Sequence, residues 1–308
     1  MSTPVPAPAG AAASVPGRAI GATRRAAALL ELTKPGITRL VLVTTAAGFA
    51  MASAGWPAPV PLLNTLVGTG LAAGGTNALN EVWESDIDGR MHRTRGRPIP
   101  SGRVSRAEAL VFSVACSVLG VAYLLLTVDA STAALVTLSL TSYVFVYTPL
   151  KRRTWVATLV GAVPGALPIA AGWTAGGGRL GLEAAALFAI LFLWQLPHFF
   201  SLAWIYRDDY RRGGLRMLPV VDVDGRRTAR HIAGWAVVLV AASAAPTWLG
   251  VNGFLYLGGA LALGGYFVGI SAAVLRDPSV RAARRVFFAS ILYLPALLTL
   301  MVLDRALH

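Results

Sequence analysis

Apolar residues in this chain do not recur at the period of a soluble amphipathic helix or a half-buried strand. They collect into long runs separated by short charged gaps. The runs occupy residues 36–54, 61–83, 107–128, 131–149, 154–175, 182–205, 231–250, 252–275 and 286–303. Each is close to the ~20 residues that an α-helix needs to cross the hydrocarbon of a bilayer. The pattern predicts an all-α polytopic membrane protein: nine transmembrane helices in a single domain spanning residues 31–308. The gaps at 129–130 and 150–153 are too short for anything but tight antiparallel hairpins. Residues 1–30 are rich in Ala, Pro and Gly, lack a continuous apolar core and show no cleavable signal peptide. They are expected to form a disordered cytoplasmic tail.

Composition agrees with the pattern. Of the 308 residues only 13% are charged, about half the share usual in a soluble globular protein. The formal net charge of +13 does not call for a nucleic-acid partner, because the basic residues lie in alternate loops rather than on one patch. All 27 of them fall in the first thirty-nine residues or in the second, fourth, sixth and eighth connections, except Arg179 and Arg305. The positive-inside rule then places the N-terminus in the cytoplasm and the C-terminus outside, in the cytoplasmic (inner) membrane of a cell. The single cysteine, Cys116, sits in an apolar run and excludes both an intramolecular disulfide and a thiolate metal cluster.

Chemistry concentrates where the second run gives way to charge, in NALNEVWESDIDGRMHRTRGRPIPSGRVSR from Asn77 to Arg106. If the helix continues through it, Asn80, Glu84 and Asp88 follow one another at steps of four. Each step turns a helix by only about 40°, so the three polar heads share one face. Oxygen ligands at that spacing suit a hard divalent cation such as Mg²⁺. Arg90, Arg93, Arg95, Arg97 and Arg103 follow directly, a supply of anion-binding groups. Carboxylates for a metal beside arginines for an anion point to a metal-bound phosphate or diphosphate. Asp86 leaves the Asn80 face and is expected to pair with an arginine.

A second polar cluster follows the sixth run on the same side of the membrane. There Asp208 and Asp209 stand among Arg207, Arg211 and Arg212, while Asp222 and Asp224 read as a solvated turn. Two such clusters facing one another are expected to hold metals that bridge the phosphates of one ligand. Lys151 and Arg152, in YTPLKRRT, lie at the same level. Small residues at 68–75 and 159–172 are expected to pack helices closely. Pro164 and Pro168 are expected to kink the fifth span and open a cavity.

Four stretches in order carry a resemblance to the UbiA superfamily of intramembrane prenyltransferases. They are LTKPGITRL from Leu32, NEVWESDIDGRMHRTRGRPIPSGR from Asn80, YTPLKRRT from Tyr147 with GAVPGALPIAAGW from Gly161, and LWQLPHFFSLAWIYRDDYRRGGLRMLPV from Leu193. The superfamily's Asn-x-x-x-Asp-x-x-x-Asp pattern falls on Asn80, Glu84 and Asp88, with Glu in place of the middle Asp. Ala157 stands where the pattern usually has Asn. Pro197, His198 and Phe199 are similar to the heme-directed branch, whereas quinone-directed members tend to carry an aspartate near His198.

The resemblance implies a Mg²⁺-dependent enzyme that transfers farnesyl from farnesyl diphosphate to a vinyl group of heme b, with addition of water, giving heme O for terminal oxidase cofactors. It implies Asn80, Glu84, Asp88 and Asp209, with Asp208, as metal ligands. Arg93, Arg97, Lys151 and Arg152 become the diphosphate clamp, and His198 the heme-facing residue. Tyr147, Phe199 and Tyr206 are candidates to stabilise an allylic cation. Membrane lipid, and a heme A synthase or an assembling terminal oxidase, are the expected surroundings. The alternatives are a UbiA-type enzyme acting on an aromatic quinone precursor, a transporter of an anionic solute, and a non-catalytic heme carrier.

Overall fold

In a computed structural model, residues 21–53 and 55–307 are described. Among them the chain is all helix and turn. Its elements in order are α1 (Ala22–Leu32), α2 (Pro35–Ala52), α3 (Pro59–Asp88), α4 (Arg106–Thr127) and α5 (Ala130–Thr141). A π-helical segment, Ser142–Tyr147, continues α5 into α6 (Thr148–Leu150). Then come α7 (Ala157–Ala175), α8 (Leu182–Ile205), α9 (Arg207–Arg212), α10 (Leu218–Val221), α11 (Arg226–Ser243), α12 (Ala245–Trp248), α13 (Phe254–Arg276) and α14 (Val280–Leu307).

Eight membrane-crossing candidates are long and apolar enough: α2, α4, α5 through α6, α7, α8, α11 with α12, α13 and α14. The second predicted span, α3, is long enough at 30 residues but falls outside that set. Its glycines, threonines and asparagines hold its hydropathy down, and its last turns are acidic. The chain is therefore a multi-pass membrane protein in which the long helix outside that set carries the candidate chemistry.

The expected tail needs correction. Residues 1–20 lie outside the described residues, but from Ala22 the chain is helical rather than irregular. Ala28 and Leu32 are buried against Ala78, Val82 and Ala109. Ion pairs tie this region to α4, between Arg25 and Glu108, and to the loop before it, between Glu31 and Arg103. Alanines make a good helix, and this one has an apolar stripe with somewhere to pack.

The main core joins α2, α7, α8, α11, α13 and α14. Small residues set its closest approach: a Cβ on Gly172 would stand 1.9 Å from the Thr45 carbonyl oxygen, and one on Gly48 2.0 Å from that of Ile169. No side chain fits there, so α2 and α7 touch backbone to backbone, as packing in lipid favours. The same device presses α3 on α4, where a Cβ on Gly120 would fall 2.4 Å from Ala72 N. The glycines thus serve packing, as expected. Pro164 and Pro168 lie within α7 and line a cavity, and Ser139 Oγ donates 2.8 Å to the carbonyl of Pro164.

Candidate active site

α3 runs unbroken through Asp88, so Asn80, Glu84 and Asp88 do share a face, and all three line a cavity of about 370 Å³. That size is within the range of small-molecule sites. Polar groups crowd one end, contributed by α3, the loop after it, Lys34 and Lys151. The rest is apolar or aromatic: Ile37, Leu40, Pro168, Leu191, Leu202 and Leu294 among others. The chamber has a charged mouth and a greasy interior.

The polar residues of the mouth are held by ion pairs and hydrogen bonds. Lys34 Nζ donates 2.8 Å to Asn80 Oδ1, and Asn80 Nδ2 donates 3.2 Å to Thr148 Oγ1. Lys151 Nζ donates to both oxygens of Glu84, at 2.9 and 3.1 Å. Arg97 Nη1 donates 2.7 Å to Asp88 Oδ2, and its Nε lies 3.6 Å from Glu81. Three buried carboxylates, Glu81, Glu84 and Asp88, therefore face three cations, Lys34, Arg97 and Lys151. Burying such charges singly is costly, and pairing them is what permits it.

Burial pushes the ammonium of Lys34 down to about 8, with neighbouring Arg97 adding to the effect. Burial also opposes the charge on Lys151, but Glu84 outweighs it and the pKa is raised. Lys151 further sits 4.5 Å over the ring of Tyr147. That ring is placed by the π-helical turn and by Gly161, whose Cβ would meet it at 2.5 Å.

Two acceptors in the cluster stand without a hydrogen-bond partner: Asp88 Oδ1 and Glu81 Oε2, both buried. Orphaned carboxylate oxygens beside a polar cavity are what a bound cation would satisfy. The donor set is oxygen-only apart from the lysines and arginine, which fits a hard metal.

The second acidic cluster is used differently. Asp209 is buried, but its carboxylate accepts from the backbone N–H of His92 at 3.1 Å and of Arg93 at 3.2 Å, and pairs with Arg212. Burial alone would raise its pKa; the Arg212 hydrogen bond and the two N–H donors hold it below the usual carboxylate range. Asp209 thus fastens the loop after α3 instead of lining the cavity. Asp208 is exposed and pairs with Arg211 at 2.7 Å. Neither aspartate lines the chamber, and both are engaged by arginines or loop N–H groups. Neighbours on a helix point about 100° apart, so a single short turn cannot aim both inward.

Arg152 is likewise elsewhere, donating 2.5 Å to Asp86 at the surface, where Asp86 was expected to find an arginine. Arg93 lines the cavity with its guanidinium 5.2 Å from the ring centre of Tyr206. Tyr206 itself supports Arg93 from behind and does not line the chamber. Arg90, Arg95 and Arg103 stay outside it.

His198 and Phe199 line the chamber away from the carboxylates. The imidazole is stacked between Trp194 and Phe287, each centroid 4.9 Å away. Its Nδ1 lies 2.8 Å from Ser290 Oγ, and that hydroxyl donates its one proton 2.6 Å to the carbonyl of Phe287. Ser290 therefore accepts, Nδ1 carries the hydrogen, and Nε2 is left as the lone-pair nitrogen.

Sequence reasoning missed Lys34, Glu81, Tyr143 and Gln195. The last donates to the Ala162 and Leu191 carbonyls at 3.1 Å each, inside the chamber. One signal for Lys34 was present: every basic residue of the chain but two is arginine, and both lysines line the cavity.

Comparison with known proteins agrees with this geometry. The UbiA prenyltransferase family model matches residues 41–292. The chain is 47% identical over 285 residues to the protoheme IX farnesyltransferase of Solibacter usitatus, covering 90% of this chain and 98% of that one. It is 44% identical to the protoheme IX farnesyltransferase of Koribacter versatilis, over 90% and 93% of the two chains. In fold it is similar to a digeranylgeranylglyceryl phosphate synthase, with a TM-score of 0.78 over 92% of this chain and 99% of that one at 17% identity. It is also similar to a UbiA homolog from Archaeoglobus fulgidus bound to GPP and Mg²⁺, with a TM-score of 0.67 over 89% and 99% at 15% identity. A helical bundle with a charged mouth over an apolar chamber, matched over most of its length by one family, has one assignment: this chain belongs to the UbiA prenyltransferase family.

Proposed function

We propose that this protein transfers the farnesyl group of farnesyl diphosphate to a vinyl group of heme b, giving heme O. One observation carries the reading: three buried carboxylates meet Lys34, Arg97 and Lys151 at the mouth of an apolar chamber that also presents His198. The relatives named protoheme IX farnesyltransferase support the choice of substrates.

Asn80, Glu84 and Asp88, with the spare oxygen of Glu81, are the residues that would hold Mg²⁺. The metal's chemistry there is neutralisation of diphosphate oxygens as the leaving group takes up charge. A Mg²⁺-bound structural relative supports this. Lys34, Arg93, Arg97 and Lys151 bind the diphosphate, exchanging carboxylate partners for phosphate oxygens. The carbon–oxygen bond of the ester breaks, the diphosphate departs with the bonding pair, and a carbon–carbon bond forms to the vinyl group. Water adds to the cation left on the former vinyl group and gives its proton to the departing diphosphate, leaving the hydroxyl that completes the product. Tyr147 and Phe199 present aromatic faces to the allylic cation, and the apolar walls keep bulk water from it. His198, with Nε2 unprotonated, faces the heme as iron ligand or hydrogen-bond acceptor.

The arginine distribution supports a cytoplasmic mouth in the inner membrane, the N-terminus inside and the C-terminus outside. A heme A synthase or an assembling terminal oxidase would consume the product. The test is purified protein incubated with heme b, farnesyl diphosphate and Mg²⁺, followed by mass analysis of the heme. A heme heavier by one farnesyl group and one hydroxyl group supports the reading. Unmodified heme, with prenylation of an aromatic quinone precursor instead, would replace it.

A further inference from the structure

A second recess, unconnected with the chemistry above, lies on the outer surface between α13 and α14. Its volume is about 700 Å³, and its lining includes Tyr266, Arg281, Arg284, Arg285, Phe288 and Leu292. On α14 the residues 281, 284, 285, 288 and 292 recur at helical spacing, so one stripe runs from guanidinium to aromatic to aliphatic. None of the three arginines makes an ion pair among the described residues. The arginines stand in the first two turns of a 28-residue helix, where the positive end of the dipole adds to their field. Phe288, Leu292 and Tyr266 are exposed, which is a face for hydrocarbon, not water.

We infer that this recess is a binding site for one anionic phospholipid, its phosphate held by Arg281, Arg284 and Arg285 and its acyl chains laid along Tyr266, Phe288 and Leu292. Charge complementarity selects the head, and the apolar lower half selects a lipid over a free anion. A recess of this size far exceeds an inorganic phosphate. The site abuts the chamber through one helix: Phe287 stacks on His198, while its neighbour Phe288 lines the recess.

The experiment is native mass spectrometry of the detergent-purified protein titrated with phosphatidylglycerol and, separately, with phosphatidylcholine of the same chains. The wild type should retain one phosphatidylglycerol in a saturable step and no phosphatidylcholine. R281Q/R284Q/R285Q should weaken that step roughly a hundredfold, from loss of three charges near the membrane surface. The corresponding triple lysine variant should keep most of it, and millimolar inorganic phosphate should not displace the lipid. If the triple Gln variant does not fold, the single variants should each weaken binding several-fold. Equal retention of both lipids by the wild type, unchanged phosphatidylglycerol binding in the Gln variants, displacement by inorganic phosphate, or a dimer that buries this face would overturn the assignment.

Discussion

The chain carries two clusters of acids set among arginines on the same side of the bundle, and they do opposite things. At the end of α3, Glu81, Glu84 and Asp88 are buried, Glu84 and Asp88 line a cavity, and Glu81 and Asp88 each leave one carboxylate oxygen unpartnered. At α9, Asp208 is spent on surface pairs, and Asp209 on the backbone of the loop after α3. The same composition gives a binding face in one place and a fastening in the other. The difference is helix length. Thirty residues of α3 deliver carboxylates at intervals of three and four on one face, whereas the six residues of α9 give adjacent aspartates divergent directions.

The sharpest way to break this contrast is Asp88→Asn. Loss of a group that stabilises leaving-group charge should lower kcat by about two to three orders of magnitude, read in the heme mass assay, with some fall in Tm because Arg97 loses its hydrogen-bonded carboxylate partner. EDTA should abolish wild-type turnover, and added Mg²⁺ should restore it. Next in size, His198→Ala should weaken heme binding in a spectroscopic titration while leaving farnesyl diphosphate binding in place. Unchanged heme affinity would make His198 a packing residue of the α8–α14 contact.

A smaller effect is expected for Asp209→Asn. The amide keeps one acceptor for the loop N–H groups but loses the pair with Arg212, so thermal stability should fall by about 1–2 kcal/mol. The KM for farnesyl diphosphate should rise as Arg93 loosens. Asp208→Asn should change stability by no more than about 0.5 kcal/mol, as for most surface substitutions, and activity not at all. A loss for Asp208 as deep as that for Asp88 would mean the two clusters close on one ligand.

Much of this was legible in the sequence. Apolar runs placed the long helices to within a few residues, because a bilayer fixes their length and lets nothing else compete. The spacing of Asn80, Glu84 and Asp88 placed them on one face. Glu81 escaped because only the step of four was followed, although 81, 84 and 88 stand at three and seven on the same helix. Lys34 escaped because it lies 46 residues before Asn80, between two helices, in a left-handed conformation with φ 48° that no periodicity reveals. The π-helical turn that aims Tyr143 and Tyr147 has no pattern of its own. Arg152 and Tyr206 were placed by proximity in sequence, which says nothing of which way a side chain turns.

The claim that the α3 face alone builds the metal–diphosphate site is tested most directly by calorimetric titration of Mg²⁺ into protein saturated with farnesyl diphosphate. Wild type is compared with Glu84→Gln/Asp88→Asn and with Asp208→Asn/Asp209→Asn. Mg²⁺ binding should vanish in the first double variant and persist in the second. Loss in the second with retention in the first would contradict the account.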